Sequence, residues 1–241
     1  MKVIVLLAGV GRRINETEKY IHKSMISING KPLLYYWMNN IIMSGIDTLV
    51  PVLGYNGKYV LEEIQKYSEG LKVCPVWNDK YEETNNMVSL LCAFERIDDS
   101  EDVIQFNGDM IFDWNIIKGI ADISGSYIAV DNSKYDYNID SPGVLINNNR
   151  ITDIGRHIEY SDSCGYAIGV YRYSAELRRK YFELASKLSE TNPNMGFHDP
   201  LRTLFEDNMV LPYVTNSSLW MDVDDKNDIV KAERMVEALG Y

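Results

Sequence analysis

The 241-residue sequence predicts an α/β fold built on a doubly wound, mixed and mostly parallel β-sheet. The first observation is an apolar run at residues 3–8, typical of a strand buried on both faces of a parallel sheet. The second is the alternation of strand-like and helix-like segments as far as Asp109, which favours βαβ units. The third is a change after Asp109 to short segments typical of antiparallel strands. Together they indicate a Rossmann-like sheet with an antiparallel subregion.

The first half of the chain is expected to follow the order βαβαβαβ. The expected strands are residues 3–8, 48–53, 71–77 and 102–106, and the expected helices are residues 32–44, 58–67 and 85–96. Pro32 suits the first turn of its helix, where a missing N–H costs no hydrogen bond. Ligands of such sheets bind at the carboxyl ends of the strands, so functional residues are expected there.

The second half is expected to be richer in short strands. These are residues 127–130, 143–147, 150–154, 165–173, 210–214 and 219–223, with helices at 175–188, 200–207 and 226–239. The asparagine run 147–149 predicts a turn between two of the strands. Since no repeat or linker interrupts the pattern, we expect a single domain over residues 1–241.

Composition excludes several classes of protein. The net charge of −11 argues against nucleic-acid binding, which needs a basic face. The apolar runs are too short to span a bilayer, and a signal peptide pattern is missing, so we expect a cytoplasmic protein without membrane insertion. Three widely spaced cysteines predict neither a disulfide framework nor a zinc site. An acidic protein that binds a polyphosphate is expected to use Mg²⁺ held by carboxylates.

The glycine turn after the first strand is the strongest functional signal. Gly9 and Gly11 allow backbone N–H groups to approach an anion closely, and Arg12, Arg13 and Lys23 place cations beside the turn. The spacing fits neither a P-loop, which needs Gly-Lys-Ser/Thr, nor a dinucleotide fingerprint, which needs a third glycine. The turn is therefore interpreted as a binding site for nucleotide phosphates, with an ordinary tight turn as the alternative.

The run from Leu6 to Arg13 resembles the L-x-A-G-x-G-x-R signature of nucleotidyltransferases that make NDP-sugars and CDP-alcohols. The blocks 22–25 and 28–33 are similar to the next block of that family, in which a lysine precedes a short strand and a glycine-proline turn. The resemblance implies a nucleotide-binding half at about 1–109 and an acceptor-binding half at 110–241. It implies nucleotide contacts from Leu7, Ala8, Gly9, Gly11, Arg13 and Lys23, and catalytic roles for Lys23, Arg13 and Asp109.

Carboxylates follow two of the expected strands. Asp109 ends the fourth strand after a glycine, and Asp222 and Asp224 alternate along an extended segment, so they point the same way and could share a cation. An ordinary Gly-Asp turn and a helix cap at Asp224 or Asp225 are the alternatives. The resemblance implies Mg²⁺ ligation by Asp109 and Asp224, with Asp222 as a further metal residue and Asp225 free to cap.

An asparagine-rich segment joins the third strand to the third helix. Thr84 is expected to cap that helix, and Asn85 offers both donors and acceptors near its start. The segment resembles the N-x-x-Y…N-x-x-x-S pattern of phosphocholine cytidylyltransferases. By that resemblance, Asn78, Thr84, Asn85 and Ser89 are expected to bind the nucleotide, with Asn85 and Ser89 on its base or ribose side, whereas a plain turn is the alternative.

The acceptor half offers a basic residue and a group of aromatic and acidic residues. Arg156 stands where the family has a lysine in its I-G-K element, and an arginine can fork onto two phosphate oxygens. A solvated residue at a strand end is the alternative. Aromatic and acidic side chains suit a cationic amine head. The acceptor candidates are Tyr166, Asp140 and Trp220, with Tyr135, Asp136, Tyr137 and Tyr160 nearby in sequence.

The resemblance implies a cytidylyltransferase that joins CTP to a small phosphorylated or phosphonate acceptor, such as phosphocholine or aminoethylphosphonate, and releases pyrophosphate. Mg²⁺ is the expected cofactor, and CTP and the acceptor are the expected partners, with a homodimer as one option. A sugar-1-phosphate nucleotidyltransferase and a non-catalytic nucleotide-binding module are the alternatives.

Overall fold

The computed structural model describes residues 1–11, 22–133, 141–159, 161–207, 209–215 and 219–241. The strands of these segments, numbered along the chain, are β1 Lys2–Leu7, β2 Ser27–Ile28, β3 Lys31–Pro32, β4 Thr48–Leu53, β5 Lys72–Val73, β6 Val76–Trp77, β7 Val103–Asn107, β8 Met110–Phe112, β9 Ser126–Asp131, β10 Gly143–Asn147, β11 Arg150–Gly155, β12 Gly165–Tyr173, β13 Val210–Val214 and β14 Trp220–Asp222.

The α-helices of the same segments lie between and after these strands. They are α1 Leu33–Met43, α2 Gly57–Lys66, α3 Asn86–Phe94, α4 Trp114–Ala121, α5 Ala175–Thr191, α6 His198–Leu204 and α7 Lys226–Ala238. Short 3₁₀ turns occupy Lys23–Met25 and Phe205–Asp207. None of the helices in the described ranges is long and apolar enough to cross a membrane.

Ten strands form the main sheet, whose principal order is β11-β10-β12-β7-β1-β4-β5. β1 pairs in parallel with both β4 and β7, whereas β12 pairs antiparallel with β7, β9 and β10. The sheet is therefore parallel at its centre and antiparallel on one side, as the sequence predicts. The parallel strands β4, β1 and β7 end at the same edge, which places the segments that follow them close together.

The central strand β1 is buried on both faces, which explains its continuous apolar sequence. Val3, Val5 and Leu7 pack into one core cluster together with helix α1, while Ile4 faces a second cluster on the opposite side of the sheet. Such two-sided burial removes any polar position from a parallel strand.

Among the strands and α-helices of the described ranges, β3, β8 and α4 were not predicted. β8 pairs antiparallel with β14, so that Asp222 lies opposite Met110. Helix α4 begins after Asp113, whose side chain accepts a hydrogen bond from the Asn115 N–H at 2.9 Å. Two predictions were also wrong in detail. The expected third strand is split into β5 and β6 around Pro75, and Asn85 rather than Thr84 caps α3.

Polar turn and cap residues agree with the sequence pattern. Asn148 and Asn149 adopt positive φ angles of 48° and 58° between β10 and β11, as a tight turn between antiparallel strands requires. Asp225 caps α7 and forms a capping box with Asp228. Since Asp225 serves as the cap, Asp224 remains available to the neighbouring site.

Candidate active site

A cavity of about 310 Å³ opens at the carboxyl ends of β1 and β7. Its wall includes nine of the residues that the sequence singles out, namely Leu7, Ala8, Gly9, Gly11, Lys23, Thr84, Asn85, Ser89 and Asp109. Gly11 has a φ angle of +61°, and a Cβ atom there would lie 2.9 Å from Cγ of Lys23. Glycine at this position therefore allows both the turn and the close passage of the lysine side chain.

Lys23, which lines this cavity, contacts two carboxylates. Its Nζ atom lies 3.1 Å from Oδ2 of Asp109 and also contacts Oδ1 of Asp224. Burial alone would lower the pKa of Lys23, but the attraction of Asp109 and the hydrogen bond to Asp224 outweigh burial and raise it. The ammonium group thus stays charged and binds the carboxylate of Asp224, which lies 201 positions further along the chain.

Asp222 brings a third carboxylate to the same place through the pairing of β14 with β8. The Val223 N–H, next along the chain, donates to the Asp109 carbonyl at 2.8 Å. Burial, followed by repulsion from Asp109 and Asp224, raises the pKa of Asp222 well above its usual value. Lys23 offsets only part of this repulsion, so the cluster can accommodate a further cation.

The donor set fits Mg²⁺ in the manner of a phosphate-binding enzyme. Mg²⁺ prefers oxygen ligands and is usually held by one or two carboxylates together with substrate phosphates and water. Asp109 and Asp224 already meet at one ammonium group. In the described ranges, no three or more His, Cys, Asp or Glu side chains are arranged to enclose a metal by themselves. Substrate oxygens would therefore have to complete the coordination.

The asparagine-rich segment is held by its own side chains. Asn78 is buried, and its Nδ2 atom donates to Oγ of Ser89 at 3.0 Å and to Oγ1 of Thr84 at 3.1 Å. Asn85 caps α3 by accepting from the Asn86 N–H, and it donates to the Asn194 carbonyl at 3.1 Å. Asn78 thus lies behind the cavity wall and shapes it, while Thr84, Asn85 and Ser89 line it.

A second cavity of about 520 Å³ adjoins the first and shares Asn85, Asn86 and Asn107 with it. Its lining includes Asp222 as well as Arg156, His157 and Arg202. Arg202, from α6, donates from Nε to Oδ1 of Asp153 at 2.7 Å. The two cavities form one cleft in which the carboxylate cluster lies beside the shared asparagines.

The second cavity also carries an uncharged histidine. His198 at the start of α6 shares a hydrogen bond of 2.6 Å between Nε2 and the Tyr171 hydroxyl. Burial, with smaller contributions from Arg156 and Arg202, lowers the pKa of His198 to about 3. The ring therefore stays neutral at physiological pH and offers hydrogen bonding without charge.

Several predicted residues lie elsewhere or outside the described ranges. Trp220 is buried and its indole N–H donates to Oδ2 of Asp131 at 2.7 Å, so its ring serves the core rather than an acceptor wall. Tyr166 lines a separate small cavity near Ser163 and Cys164. The predictions for Arg12, Arg13, Tyr135, Asp136, Tyr137, Asp140 and Tyr160 fall outside the described residues.

The residues of the cleft that the sequence did not single out include His22, Asn107, Tyr171, His198 and Arg202. His22 and Asn107 are next to predicted residues, so their proximity in sequence was a usable signal. The other three come from β12 and α6, which reach the cleft only through long-range pairing such as that of Tyr171 with Gln105.

Curated relatives align with less than half of their own length. The choline-phosphate cytidylyltransferase of Streptococcus pneumoniae is 32% identical over 100 residues, which cover 42% of this chain and 42% of the relative. The UTP–glucose-1-phosphate uridylyltransferase of Haloferax volcanii is 30% identical over 117 residues, covering 48% and 46%. The 2-aminoethylphosphonate cytidylyltransferase of Lancefieldella rimae is 29% identical over 92 residues, covering 38% and 36%.

The fold extends beyond these alignments. The inositol-1-phosphate CTP transferase from T. maritima superposes with a TM-score of 0.84 at 21% identity, over 99% of this chain and 95% of that one. This likeness shows a shared fold along the whole chain. Residues 3–137, more than half of the sequence, match the family described as the MobA-like NTP transferase domain. The chain therefore belongs to the MobA-like NTP transferase family.

Proposed function

We propose that the protein is a cytidylyltransferase, which transfers CMP from CTP to a small phosphorylated or phosphonate acceptor and releases pyrophosphate. The observation that carries the proposal is the contact of Lys23 with both Asp109 and Asp224, at a point where two adjoining cavities share three asparagines. One cavity would hold the nucleotide and the other the acceptor. The relatives that act on choline phosphate and 2-aminoethylphosphonate support this choice of acceptor class.

Lys23 would stabilise negative charge during transfer. An acceptor oxygen attacks the α-phosphorus while the bond to the leaving pyrophosphate breaks, so negative charge moves towards the pyrophosphate. The charged ammonium group is held close to this position by its contacts with two carboxylates and would meet that charge. Because the acceptor phosphate or phosphonate is already ionised, no side chain has to remove a proton from it.

Asp109 and Asp224 would hold Mg²⁺, and Asp222 would add negative charge close behind them. The ion would neutralise phosphate oxygens and increase the electrophilicity of the α-phosphorus. The raised pKa of Asp222 reflects burial and crowded carboxylates, a situation that a bound cation relieves. The same carboxylates otherwise repel a triphosphate, so this chain is expected to bind CTP together with its metal.

Arg156 would orient the acceptor phosphate in the larger cavity. Its guanidinium group keeps its charge and can form two parallel hydrogen bonds to phosphate oxygens. Arg202 is committed to Asp153, which leaves it to position the wall beside His157. The neutral His198 would add a hydrogen bond to an oxygen of the acceptor.

The proposed function is tested by measuring pyrophosphate release with CTP, UTP, dTTP and ATP against phosphocholine, aminoethylphosphonate, other phosphorylated small molecules and sugar 1-phosphates. We expect release with CTP and one member of the first three acceptor groups, and a CDP-conjugate in the mass spectrum. Lys23→Ala should abolish most of the pyrophosphate release. Lys118→Ala, which removes an exposed lysine paired with Asp122, should leave the release unchanged.

A sugar-1-phosphate acceptor is the second candidate, since the uridylyltransferase of Haloferax volcanii shares 30% identity over 117 residues. Turnover of UTP or dTTP with a sugar 1-phosphate, and none with the small phosphorylated amines, would replace the first proposal with this one.

A further inference from the structure

The final residues of β1 are tied to the loops on either side of the site. The Gly108 N–H donates to the Leu6 carbonyl at 3.2 Å, and Nε2 of His22 lies 2.9 Å from the Leu7 carbonyl. Two successive carbonyls of β1 thus fix the positions of Gly108 and His22.

Each of these two residues immediately precedes a charged residue of the site. Asp109 follows Gly108, and Lys23 follows His22, and their side chains meet at 3.1 Å. The contact between Lys23 and Asp109 therefore completes a closed series of contacts that includes the end of β1. A displacement of His22 would break this series at Lys23.

The hydrogen bonds of His22 define which ring nitrogen carries the proton. The Ser24 N–H can only donate, and it lies 3.2 Å from Nδ1, so Nδ1 accepts. The Ser24 hydroxyl also lies 2.8 Å from Nδ1. Nε2 therefore carries the proton and donates it to the Leu7 carbonyl.

Both nitrogens of His22 are engaged, and only 5% of the residue is exposed. A ring in this state has no nitrogen left to bind a nucleotide or to move a proton. Its effect on a reaction must pass through the residues that it connects, Leu7 on one side and the 3₁₀ turn Lys23–Met25 on the other.

We propose that His22 is a positioning residue, which couples the end of β1 to Lys23 and sets the location of the lysine ammonium group between Asp109 and Asp224. The proposal rests on the proposed function for the role of Lys23 in turnover. Both hydrogen bonds of His22 are required, the one to the Leu7 carbonyl and the one from the Ser24 N–H. Either bond alone would hold the imidazole ring without fixing the 3₁₀ turn relative to β1.

Two substitutions each keep one of the two hydrogen bonds of His22 and remove the other. In His22→Asn the amide oxygen replaces Nδ1 and keeps the acceptor for Ser24, but the side chain is too short to reach Leu7. In His22→Gln the amide nitrogen replaces Nε2 and keeps the donor to Leu7, but the acceptor for Ser24 is lost. Ser174→Ala is the matched control, since it removes a helix cap hydrogen bond of 3.2 Å to Leu177 outside the cleft.

The first measurement is steady-state kinetics with CTP. We expect kcat to fall at least about tenfold in both His22 variants, with the KM for CTP changed less than about threefold, since the lysine acts on the transition state. Ser174→Ala should lose stability without this loss of kcat.

The second measurement needs no substrate. Hydrogen exchange of the Lys23 ammonium protons, followed by NMR, should accelerate in His22→Asn and His22→Gln but not in Ser174→Ala. Normal exchange of Lys23 in either folded His22 variant would overturn the coupling, and so would a wild-type kcat where the enzyme is active. If both variants unfold, the same exchange measurement on Ser24→Ala decides, because this change removes one contact of Nδ1. A wild-type protein inactive with every nucleotide would refute the proposed function, while the exchange data would still decide the role of His22.

Discussion

The hydroxyl group of Tyr171 and the Nε2 atom of His198 lie 2.6 Å apart in the wall of the larger cavity. Tyr171 is almost fully buried in β12, and the Phe197 ring packs against both partners, with centroids 5.1 Å from Tyr171 and 4.3 Å from His198. The contact attaches α6 to the sheet and holds the histidine ring against two aromatic side chains. The neutral state of His198 thus belongs to the folded protein.

Acidification should destabilise the protein through His198. Burial lowers its pKa from 6.5 to about 3, so between these values the unfolded chain binds a proton that the folded chain does not. The free energy of unfolding therefore falls as the pH falls, by up to about 1.4 kcal/mol per pH unit from this group. Urea denaturation from about pH 7 to about pH 4.5 should show a steeper loss in the wild type than in His198→Gln. An equal loss of stability with falling pH in the two proteins would contradict the assignment of this effect to His198.

Arg178 should be a large contributor to stability. It is 1% exposed and donates to the carbonyls of Phe94, Ile97, Asp98 and Glu101, which form the connection from α3 to β7. A lysine cannot match four acceptors with its three donors and different geometry, so Arg178→Lys should cost about 3 kcal/mol. Chemical denaturation measures the loss.

The neighbouring Arg179 provides the control for that measurement. It is exposed and donates to the Asp99 carbonyl at 2.6 Å, so Arg179→Lys should change stability by less than about 0.5 kcal/mol. Similar losses in the two variants would mean that the buried carbonyls are not what makes Arg178 stabilising.

Local sequence patterns were sufficient for the strands with strong periodicity. The predicted bounds 48–53, 143–147, 165–173 and 210–214 are those of β4, β10, β12 and β13. β8 escaped prediction because three residues are too few to display a period. α4 is eight residues long and directly follows β8, and no element was predicted from the sequence for this segment.

The candidate site was predictable where it depends on strand ends. Asp109 could be placed there because it follows the parallel strand β7, and Lys23 and Asp224 were grouped with it by the resemblance of their segments to a family signature. The part of the wall formed by Arg202 and His198 could not be predicted. Arg202 contacts Asp153, and His198 contacts Tyr171, only because α6 packs against β11 and β12. Trp220 lies in the core with its indole N–H on Asp131, and an aromatic side chain beside acidic residues suits a binding site and a core equally well.

Asp109→Asn should leave the fold intact and reduce turnover. The amide keeps the shape of the side chain but removes one of the charges that hold Lys23 and would hold Mg²⁺. Loss of metal and lysine organisation costs several kcal/mol in the transition state, so kcat should fall by a factor on the order of 10³. Steady-state kinetics and circular dichroism test the two halves of this expectation.

Asp113→Asn is the matched control, because it changes an aspartate that caps α4 and lies outside both cavities. It should retain wild-type kcat. Near-wild-type turnover in folded Asp109→Asn would remove Asp109 from the mechanism.

Gly9→Ala should weaken nucleotide binding, whereas Gly108→Ala should lower the stability of the fold. Gly9 lines the smaller cavity and a Cβ atom there would meet nothing within 4 Å, so stability should hold while nucleotide binding weakens. A Cβ atom at Gly108 would lie 2.1 Å from Cδ2 of Leu7, an overlap that should cost about 1–3 kcal/mol. Thermal denaturation and calorimetric titration with CTP separate the effects. Unchanged CTP affinity in Gly9→Ala would place the nucleotide elsewhere.

CTP should be preferred over UTP by at least about tenfold in kcat/KM, which corresponds to about 1.4 kcal/mol. Cytosine and uracil differ in an exocyclic amine and a ring nitrogen, and a site built around one base leaves polar atoms unpaired with the other. Backbone groups at Leu7–Gly9 and the Asn85 side chain are the proposed contacts. Asn85 already caps α3 and donates to the Asn194 carbonyl, so Asn85→Ala should also lower stability. The kcat/KM ratio for the two nucleotides, measured in wild type and in Asn85→Ala, tests both statements. Equal use of CTP and UTP would defeat the cytidylyltransferase proposal, whereas an unchanged CTP preference in Asn85→Ala would leave base selection to the backbone alone.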